Sequence, residues 1–215
     1  VPSLALGAGE YSPLAMTRMY LPLAIDGSSP PLRAIRFIVN RRGETLRANT
    51  TNYERAIDQR VNYLLQYALR AAMREGTGRS AYRQLAEDFH VAGKTGTTND
   101  GRDSWFAGFS SDLLAVVWIG RDNNAPTGLT GASGALRIWT EFMASANSRP
   151  LANPVPQGVE LHRVDELSGS LTDEGCENAR LLPFVSGSEP KKRSDCLTSR
   201  PGLRNWFEKL FRGAS

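Results

Sequence analysis

Apolar residues recur every three or four positions in two stretches of the chain, which predicts two amphipathic helices. The apolar positions of the longer stretch are Ile57, Val61, Leu64, Leu65, Ala68, Ala72 and Met73. Those of the second are Ala135, Ile138, Trp139, Phe142, Met143 and Ala146. We expect Gly76 to cap the longer helix. A shorter helix is predicted to begin at Ser12-Pro13, a helix-start signal, and to end before Pro22.

Runs of apolar and β-branched residues predict strands between these helices. Residues 35–46 predict a hairpin that turns at 41–44. Residues 89–97, 104–110 and 113–121 predict three strands joined by short turns, and therefore an antiparallel meander. The expected fold class is α/β (α+β), with an antiparallel sheet covered by helices, spanning residues 1–150.

Beyond Pro150 the composition changes to Pro, Gly, Ser and charged residues, so residues 151–215 are predicted to form a C-terminal extension. The extension ends in "PGLRNWFEKLFRG", whose apolar and charged residues separate on the two sides of a helix. Such a tail helix suits docking on its own protein, binding of a partner, or binding at a membrane surface.

Charge and length narrow the function classes. The chain has 26 Lys and Arg against 22 Asp and Glu, and this small excess does not indicate a nucleic-acid-binding protein. No apolar run approaches the roughly 20 residues that span a bilayer. Because the chain begins at Val1 without a targeting segment, we expect it to be part of a longer protein whose membrane anchor lies upstream.

The two cysteines, Cys176 and Cys196, both lie in the extension. A disulfide between them would close a loop of about 20 residues and contribute on the order of 3 kcal/mol, but it requires an oxidising compartment. Two unpaired thiols in a cytosolic protein are the alternative. The spacing of cysteines and histidines does not suit zinc, and no cofactor is predicted.

The triplet Gly93-Lys94-Thr95 matches the end of a phosphate-binding loop, but its surroundings exclude one. Such a loop needs a glycine five residues before Gly93, where Asp88 stands, and a helix that begins at the lysine. A carboxylate would repel the phosphate, and "TGTTNDG" after Lys94 is a poor helix start. The alternative is a strand that borders an acyl-transfer cleft. There Lys94 supplies a cation, Thr95 and Thr97 supply hydroxyls, and Gly96 allows a peptide to lie along the strand edge.

The surroundings of Lys94-Thr95-Gly96 carry a more specific signal. "GKTGTTNDGRDSWFAGFS", followed by "VVWIGRDNN" and "GASGA", resembles the transpeptidase domain of bifunctional class A penicillin-binding proteins, in particular the 1B type of Gram-negative bacteria. "GTGR" at 76–79 and "LALGAGEYSPLAMTRMY" near the start are also similar to that family. The similarity runs from Leu4 to about Ala146. It implies a penicillin-binding, serine β-lactamase-like transpeptidase fold that is incomplete in this chain.

The resemblance implies roles for residues of the third signature motif and its exit. Lys94 and Thr97 are expected to be catalytic, with the Thr97 N–H as half of an oxyanion hole. Thr95, Gly96, Thr97 and Thr98 are expected to bind the carboxylate end of a stem peptide or of penicillin. Trp105, Phe106 and Gly108 are expected to pack the neighbouring strand, and Asp103 to order the turn. The resemblance also favours the Cys176–Cys196 disulfide.

The nucleophilic Ser-x-x-Lys motif of this family is not found before Lys94. Lysine occurs only at 94, 191, 192 and 209, and only Ser188-x-x-Lys191 has the spacing. It follows the third motif and contains Pro190, so we interpret it as a chance match. The Ser-x-Asn match at Ser145 also follows the third motif, and we reject it too.

The resulting hypothesis is a peptidoglycan D,D-transpeptidase at the periplasmic face of the inner membrane, whose serine lies upstream of this chain. Alternatives are a D,D-carboxypeptidase or serine β-lactamase, and a non-catalytic binding module. The expected partners are stem peptides and their lipid-linked precursor, β-lactam antibiotics, and the upstream half of the same domain. Family membership also implies a glycosyltransferase domain and an outer-membrane lipoprotein activator.

Overall fold

Residues 9–49 and 52–194 are described by the computed structural model, and the chain divides after Pro154 into two units, Val1–Pro154 and Val155–Ser215. The first unit is built on a three-stranded antiparallel sheet: β5 (Ala92–Thr97), β6 (Ser104–Phe109) and β7 (Leu114–Ile119), in the order β5-β6-β7. The predicted meander is confirmed. Ser110 makes the second turn tight, because its N–H donates to the Leu113 carbonyl at 2.9 Å and its hydroxyl accepts from the Leu113 N–H.

Short strands precede this sheet in the chain. β1 (Ser28–Ser29) pairs with β4 (Glu54–Arg55), and β2 (Phe37–Val39) pairs with β3 (Thr45–Ala48). The predicted hairpin at 35–46 is therefore present, and Gly43 has the positive φ of 81° that its turn requires.

The first helix, α1 (Pro13–Ala24), starts where the sequence predicts but ends later. Ser12 is the N-cap and accepts a hydrogen bond from the Ala15 N–H. Pro22 lies inside the helix, so the predicted end before Pro22 is wrong. Pro22 has no N–H to donate to the Arg18 carbonyl, but its own carbonyl accepts from the Gly27 N–H at 2.8 Å.

The second helix, α2 (Gln59–Arg74), is confirmed, but two details of its prediction are wrong. Asp58 is the N-cap and Glu75 the C-cap, and Gly76 does not have the left-handed conformation of a glycine cap. Val61 and Leu65 are exposed, and the buried side chains are those of Asn62, Tyr63, Gln66 and Met73. Asn62 and Gln66 are buried because their amides donate to the Leu23 carbonyl of α1.

The third helix, α3 (Ala135–Ser145), places Trp139 in the main core. Trp139 is fully buried, its ring centroid lies 4.8 Å from that of Phe106, and its indole N–H donates to the Gly108 carbonyl. Ile138 and Phe142, predicted on the same apolar face, are about half exposed.

The second unit contains the three-stranded antiparallel sheet β10-β8-β9: β8 (Val159–Asp165), β9 (Ser170–Leu171) and β10 (Ala179–Val185). Cys176 is buried and lies in the connection between β9 and β10. Cys196 and the predicted tail helix lie outside the described residues, and the Cys176–Cys196 disulfide stays a prediction. Within the described ranges, no helix has the length and apolar composition needed to cross a bilayer.

Asp165 connects segments of the second unit. The residue is 5% exposed, and its carboxylate accepts hydrogen bonds from the hydroxyls of Ser168 and Ser194, at 2.6 and 2.9 Å, and from the Leu167 N–H. These hydrogen bonds, led by that from Ser168, hold the pKa of Asp165 below its ordinary value.

Asp165 therefore makes the stability of this unit depend on pH. A carboxyl whose pKa is lowered by folding stabilises the native state above its unfolded pKa of about 4, and this contribution is lost as pH falls through the folded value. We expect Asp165→Asn to lower the thermal midpoint at pH 7 and to weaken its fall toward pH 3, measured by circular dichroism. Asp173→Asn, at a carboxylate that is 63% exposed, is the matched control and should change neither. Equal losses in the two variants would contradict the assignment.

Candidate active site

The strand that carries Lys94, Thr95 and Gly96 lies at the edge of its sheet. β5 pairs with β6 alone among the described strands. Hydrogen-bonded and non-bonded positions alternate along an antiparallel pair, and the Thr98 N–H donates to the Asp103 carbonyl at 3.2 Å. Thr98 is therefore a hydrogen-bonded position, and so are Gly96 and Lys94, which precede it by two and four residues and direct their backbone N–H and C=O toward β6. The backbone N–H and C=O of Thr97 and Thr95 therefore face the free edge.

Lys94 brings its charge to this free edge. Its side chain is exposed, and its ammonium group donates to the Thr95 carbonyl at 3.0 Å and to the Thr95 hydroxyl at 3.3 Å. Neighbouring side chains of a strand leave opposite faces, so the lysine reaches Thr95 by wrapping around the edge. The edge therefore receives groups from both faces of the sheet.

Thr95 and Thr97 lie on the same face, and each hydroxyl contacts a segment distant in sequence. The Thr95 oxygen is 2.6 Å from the Thr77 oxygen, in the loop after α2. The Thr97 oxygen accepts a hydrogen bond of 2.9 Å from the Gly131 N–H. Gly131 packs so closely that a Cβ there would lie 2.6 Å from the Gly96 carbonyl oxygen and 2.7 Å from that of Trp105. Only glycine fits this approach.

The end of the strand is organised by a short turn. The Thr98 hydroxyl accepts from the Asp103 N–H at 2.8 Å, and the Asp103 carboxylate accepts from the Trp118 indole N–H at 2.9 Å. Asp103 thus orders the turn, as predicted. Thr98, predicted to bind substrate, also braces this turn through its hydroxyl oxygen.

The residues of β6 support the site from behind. Phe106 is fully buried, and a Cβ on Gly108 would lie 2.6 Å from the Phe106 ring and 3.0 Å from that of Trp139. Trp105 packs on Trp118 with ring centroids 6.1 Å apart. A Cβ on Gly96 would lie 3.2 Å from the Trp105 Cβ. These contacts agree with the packing role expected for Trp105, Phe106 and Gly108.

Two residues that contact the site, Thr77 and Gly131, were not predicted as site residues. Both lie in short segments noted for family similarity, "GTGR" and "GASGA". Thr77 and Gly131 are separated from their partners in β5 by 18 and 34 residues of sequence, so no local pattern links them to the site. Their residue types within these two segments are the only sequence signal for a site role.

Residues 2–135 match the family described as penicillin binding protein transpeptidase domain. This match covers more than half of the chain, and the chain therefore belongs to the penicillin-binding protein transpeptidase family. The edge strand and the helices that flank it are the part of that domain described above.

Curated relatives of this chain include penicillin-binding proteins 1B. The protein of that name from Vibrio cholerae is 36% identical over 211 residues, which cover 98% of this chain and 26% of the relative. The one from Escherichia coli K12 is 35% identical, over 89% of this chain and 22% of the relative. The predicted resemblance to the class A, 1B type is confirmed, and the chain spans about a quarter of the length of these relatives.

The fold class is also confirmed. The crystal structure of penicillin-binding protein 1A from Haemophilus influenzae superposes with a TM-score of 0.81 at 24% sequence identity, covering 90% of this chain and 35% of that one. At that identity the likeness concerns the fold.

Proposed function

We propose that this chain supplies the Lys-Thr-Gly side of the active site of a peptidoglycan D,D-transpeptidase, with the nucleophilic serine contributed by a segment outside the chain. The observation that carries the proposal is the free edge of β5, where the Thr97 N–H, the Lys94 ammonium and the Thr95 and Thr97 hydroxyls lie together. Membership of the penicillin-binding transpeptidase family supports it.

The first half of the reaction is acylation of the serine. The serine oxygen attacks the carbonyl between the two terminal D-alanines, and the carbonyl oxygen becomes an oxyanion. The Thr97 N–H, which faces the free edge, donates to that oxyanion, since a backbone donor held in place stabilises developing charge. The C–N bond then breaks, and the amine of the terminal D-alanine leaves with the proton that the serine hydroxyl gave up.

Orientation of the donor peptide comes from its terminal carboxylate. The Thr95 and Thr97 hydroxyls are hydrogen-bond donors, and the Lys94 ammonium supplies the opposite charge. Gly96 leaves the strand edge clear for the peptide backbone. In the second half, an acceptor amine attacks the acyl-serine, forms the crosslinking amide and releases the serine.

The serine does not come from Ser188. That residue lies in the turn after β10, where its N–H donates to the Val185 carbonyl at 2.8 Å, and Ser188 and Lys191 are not on a helix. A helical turn is what presents serine and lysine of a Ser-x-x-Lys motif on one face. This local structure supports the interpretation of Ser188-x-x-Lys191 as a chance match.

Covalent labelling tests the proposal. We expect a chain extended upstream to include a Ser-x-x-Lys motif to form a covalent adduct with fluorescent penicillin, seen as a band on a denaturing gel. The 215-residue chain alone should stay at background, because it lacks the nucleophile. An adduct on the isolated chain would contradict the assignment of the missing serine, and no adduct on the extended chain would contradict the proposed function.

The acceptor distinguishes the alternative activities. A D,D-carboxypeptidase or β-lactamase uses water in place of the amine, so crosslinked product should form only with a transpeptidase. A non-catalytic binding module would give neither adduct nor product.

The same proposal covers location and partners. The proposed substrates are stem peptides and their lipid-linked precursor, and the proposed location is the periplasmic face of the inner membrane. β-Lactams are the proposed inhibitors. The upstream half of the domain completes the site. A glycosyltransferase domain and an outer-membrane lipoprotein activator belong to the same proposal. An oxidising compartment there also suits the Cys176–Cys196 disulfide.

A further inference from the structure

Thr77 lies outside β5, yet its hydroxyl makes the shortest contact to the site, 2.6 Å from the Thr95 oxygen. We propose that Thr77 is a positioning residue that determines specificity for a carboxylate-bearing acyl donor, by donating its proton to Thr95 and leaving the Thr95 proton for the donor's carboxylate. This inference rests on the proposed transpeptidase function and adds Thr77 as a positioning residue behind the threonine pair already assigned to the carboxylate.

Hydrogen-bond accounting at Thr95 gives the direction of that contact. A hydroxyl has one proton to donate and two lone pairs to accept with. The Lys94 ammonium can only donate, so its 3.3 Å contact fills one lone pair of the Thr95 oxygen. If Thr95 also donated to Thr77, no proton would remain for a ligand. If Thr77 donates, both lone pairs are filled and the Thr95 proton is free.

An ionised carboxylate only accepts hydrogen bonds, so it selects the second arrangement. The same logic holds at Thr97, whose oxygen accepts from the Gly131 N–H at 2.9 Å. A backbone N–H cannot accept, and the Thr97 proton is therefore left for other partners. Both hydroxyls accept from the protein and keep a proton to donate outward.

The spacing of the two hydroxyls suits one carboxylate. Thr95 and Thr97 are two residues apart on one face, a separation of about 7 Å. A carboxylate that accepts one hydrogen bond of about 2.7 Å on each oxygen spans a similar length. Lys94 adds the positive charge at the same edge.

The backbone around Thr77 is anchored to the core, which keeps its hydroxyl in place. Gly78 is buried, and a Cβ there would lie 2.5 Å from the Met73 sulfur and 2.9 Å from the Met73 Cα. The Gly78 N–H donates to the Ala72 carbonyl at 3.1 Å, and its carbonyl accepts from the Ala81 N–H at 3.0 Å. Met73 is fully buried. The loop thus holds the exposed Thr77 over β5 from a fixed base.

The test compares two probes and two variants in the full-length protein that contains this segment. The probes are benzylpenicillin, which carries a carboxylate, and its methyl ester, which does not. Thr77→Val keeps the side-chain shape without the hydroxyl, and Thr77→Ser keeps the hydroxyl. Acylation rates are measured by mass spectrometry of the intact protein.

We expect Thr77→Val to slow acylation by benzylpenicillin by about tenfold, the upper end for loss of a neutral hydrogen bond, because the Thr95 hydroxyl loses the partner that fixes the direction of its proton; the rate for the ester should change less than twofold. Thr77→Ser should stay within about threefold of wild type with both probes. Loss of the same factor with both probes would show a merely structural role and overturn the inference, as would no change with either. A wild-type protein that is not acylated by benzylpenicillin would instead overturn the proposed function on which the inference rests.

Discussion

Replacement of Lys94 by alanine is expected to slow acylation by penicillin by about 10²–10³-fold in a protein that includes the serine motif. The ammonium group donates to the Thr95 carbonyl and hydroxyl at the free edge of β5. Alanine leaves that edge without its cation, so the carboxylate of the ligand loses its opposite charge. Lys94→Arg retains the charge, but its planar guanidinium has a different donor geometry, and an intermediate rate is expected. Stopped-flow measurement with a fluorescent penicillin gives the rates.

Lys191 provides the matched control for this experiment. It is also an exposed lysine, and it belongs to the single Ser-x-x-Lys spacing in the sequence. Lys191→Ala should leave the acylation rate unchanged. A Lys94→Ala protein that reacts within threefold of wild type, or a large loss in Lys191→Ala, would contradict the assigned site. Because Lys94 is exposed, its replacement should not alter the thermal midpoint.

The largest expected effect on stability is that of Trp139→Ala. Trp139 is fully buried, packs on Phe106 and donates to the Gly108 carbonyl. Its removal leaves a cavity behind the sheet and an unpaired carbonyl, so we expect the free energy of unfolding to fall by about 3–5 kcal/mol. Urea unfolding followed by circular dichroism measures the change without relying on tryptophan emission.

Phe142 lies on the same helix and provides the comparison. Its side chain is 46% exposed, so Phe142→Ala should cost less than about 1 kcal/mol. Similar losses in the two variants would mean that the core does not lie where Trp139 places it. Since β5 and β6 rest on this core, Trp139→Ala should also reduce labelling by penicillin in the extended protein.

Much of the fold was predictable because local rules govern it. The three strands of the meander are separated by turns too short for a helix, and this leaves antiparallel pairing as the solution. Ser12 and Pro13 favour the start of α1 for two reasons. The Ser12 hydroxyl accepts from an N–H of the first turn, and Pro13 has no N–H that would be left without a partner there. The hypothesis of an acyl-transfer strand rested on residue types: Gly96 leaves room for a peptide, and Thr95 and Thr97 carry hydroxyls.

The errors arose where tertiary contacts override these rules. Hydrophobic spacing predicted that Val61 and Leu65 of α2 would face the core, but in the described structure Asn62 and Gln66 are buried instead. Their amide nitrogens donate to the Leu23 carbonyl of α1, and these hydrogen bonds offset part of the cost of burying the two side chains. Pro22 lies in the last turn of α1, where its own carbonyl accepts from the Ile25 and Gly27 N–H groups.

The sequence by itself determined the family, the strand that carries Lys94, Thr95 and Gly96, and the lack of a Ser-x-x-Lys motif before it. These are local properties of residue type and spacing. Only the tertiary structure decided which groups complete the site: Thr77 reaches Thr95 across 18 residues, and Gly131 reaches Thr97 across 34. These two contacts depend on how segments distant in sequence pack on one face of the sheet. The spacing of residue types along the chain does not predict that packing.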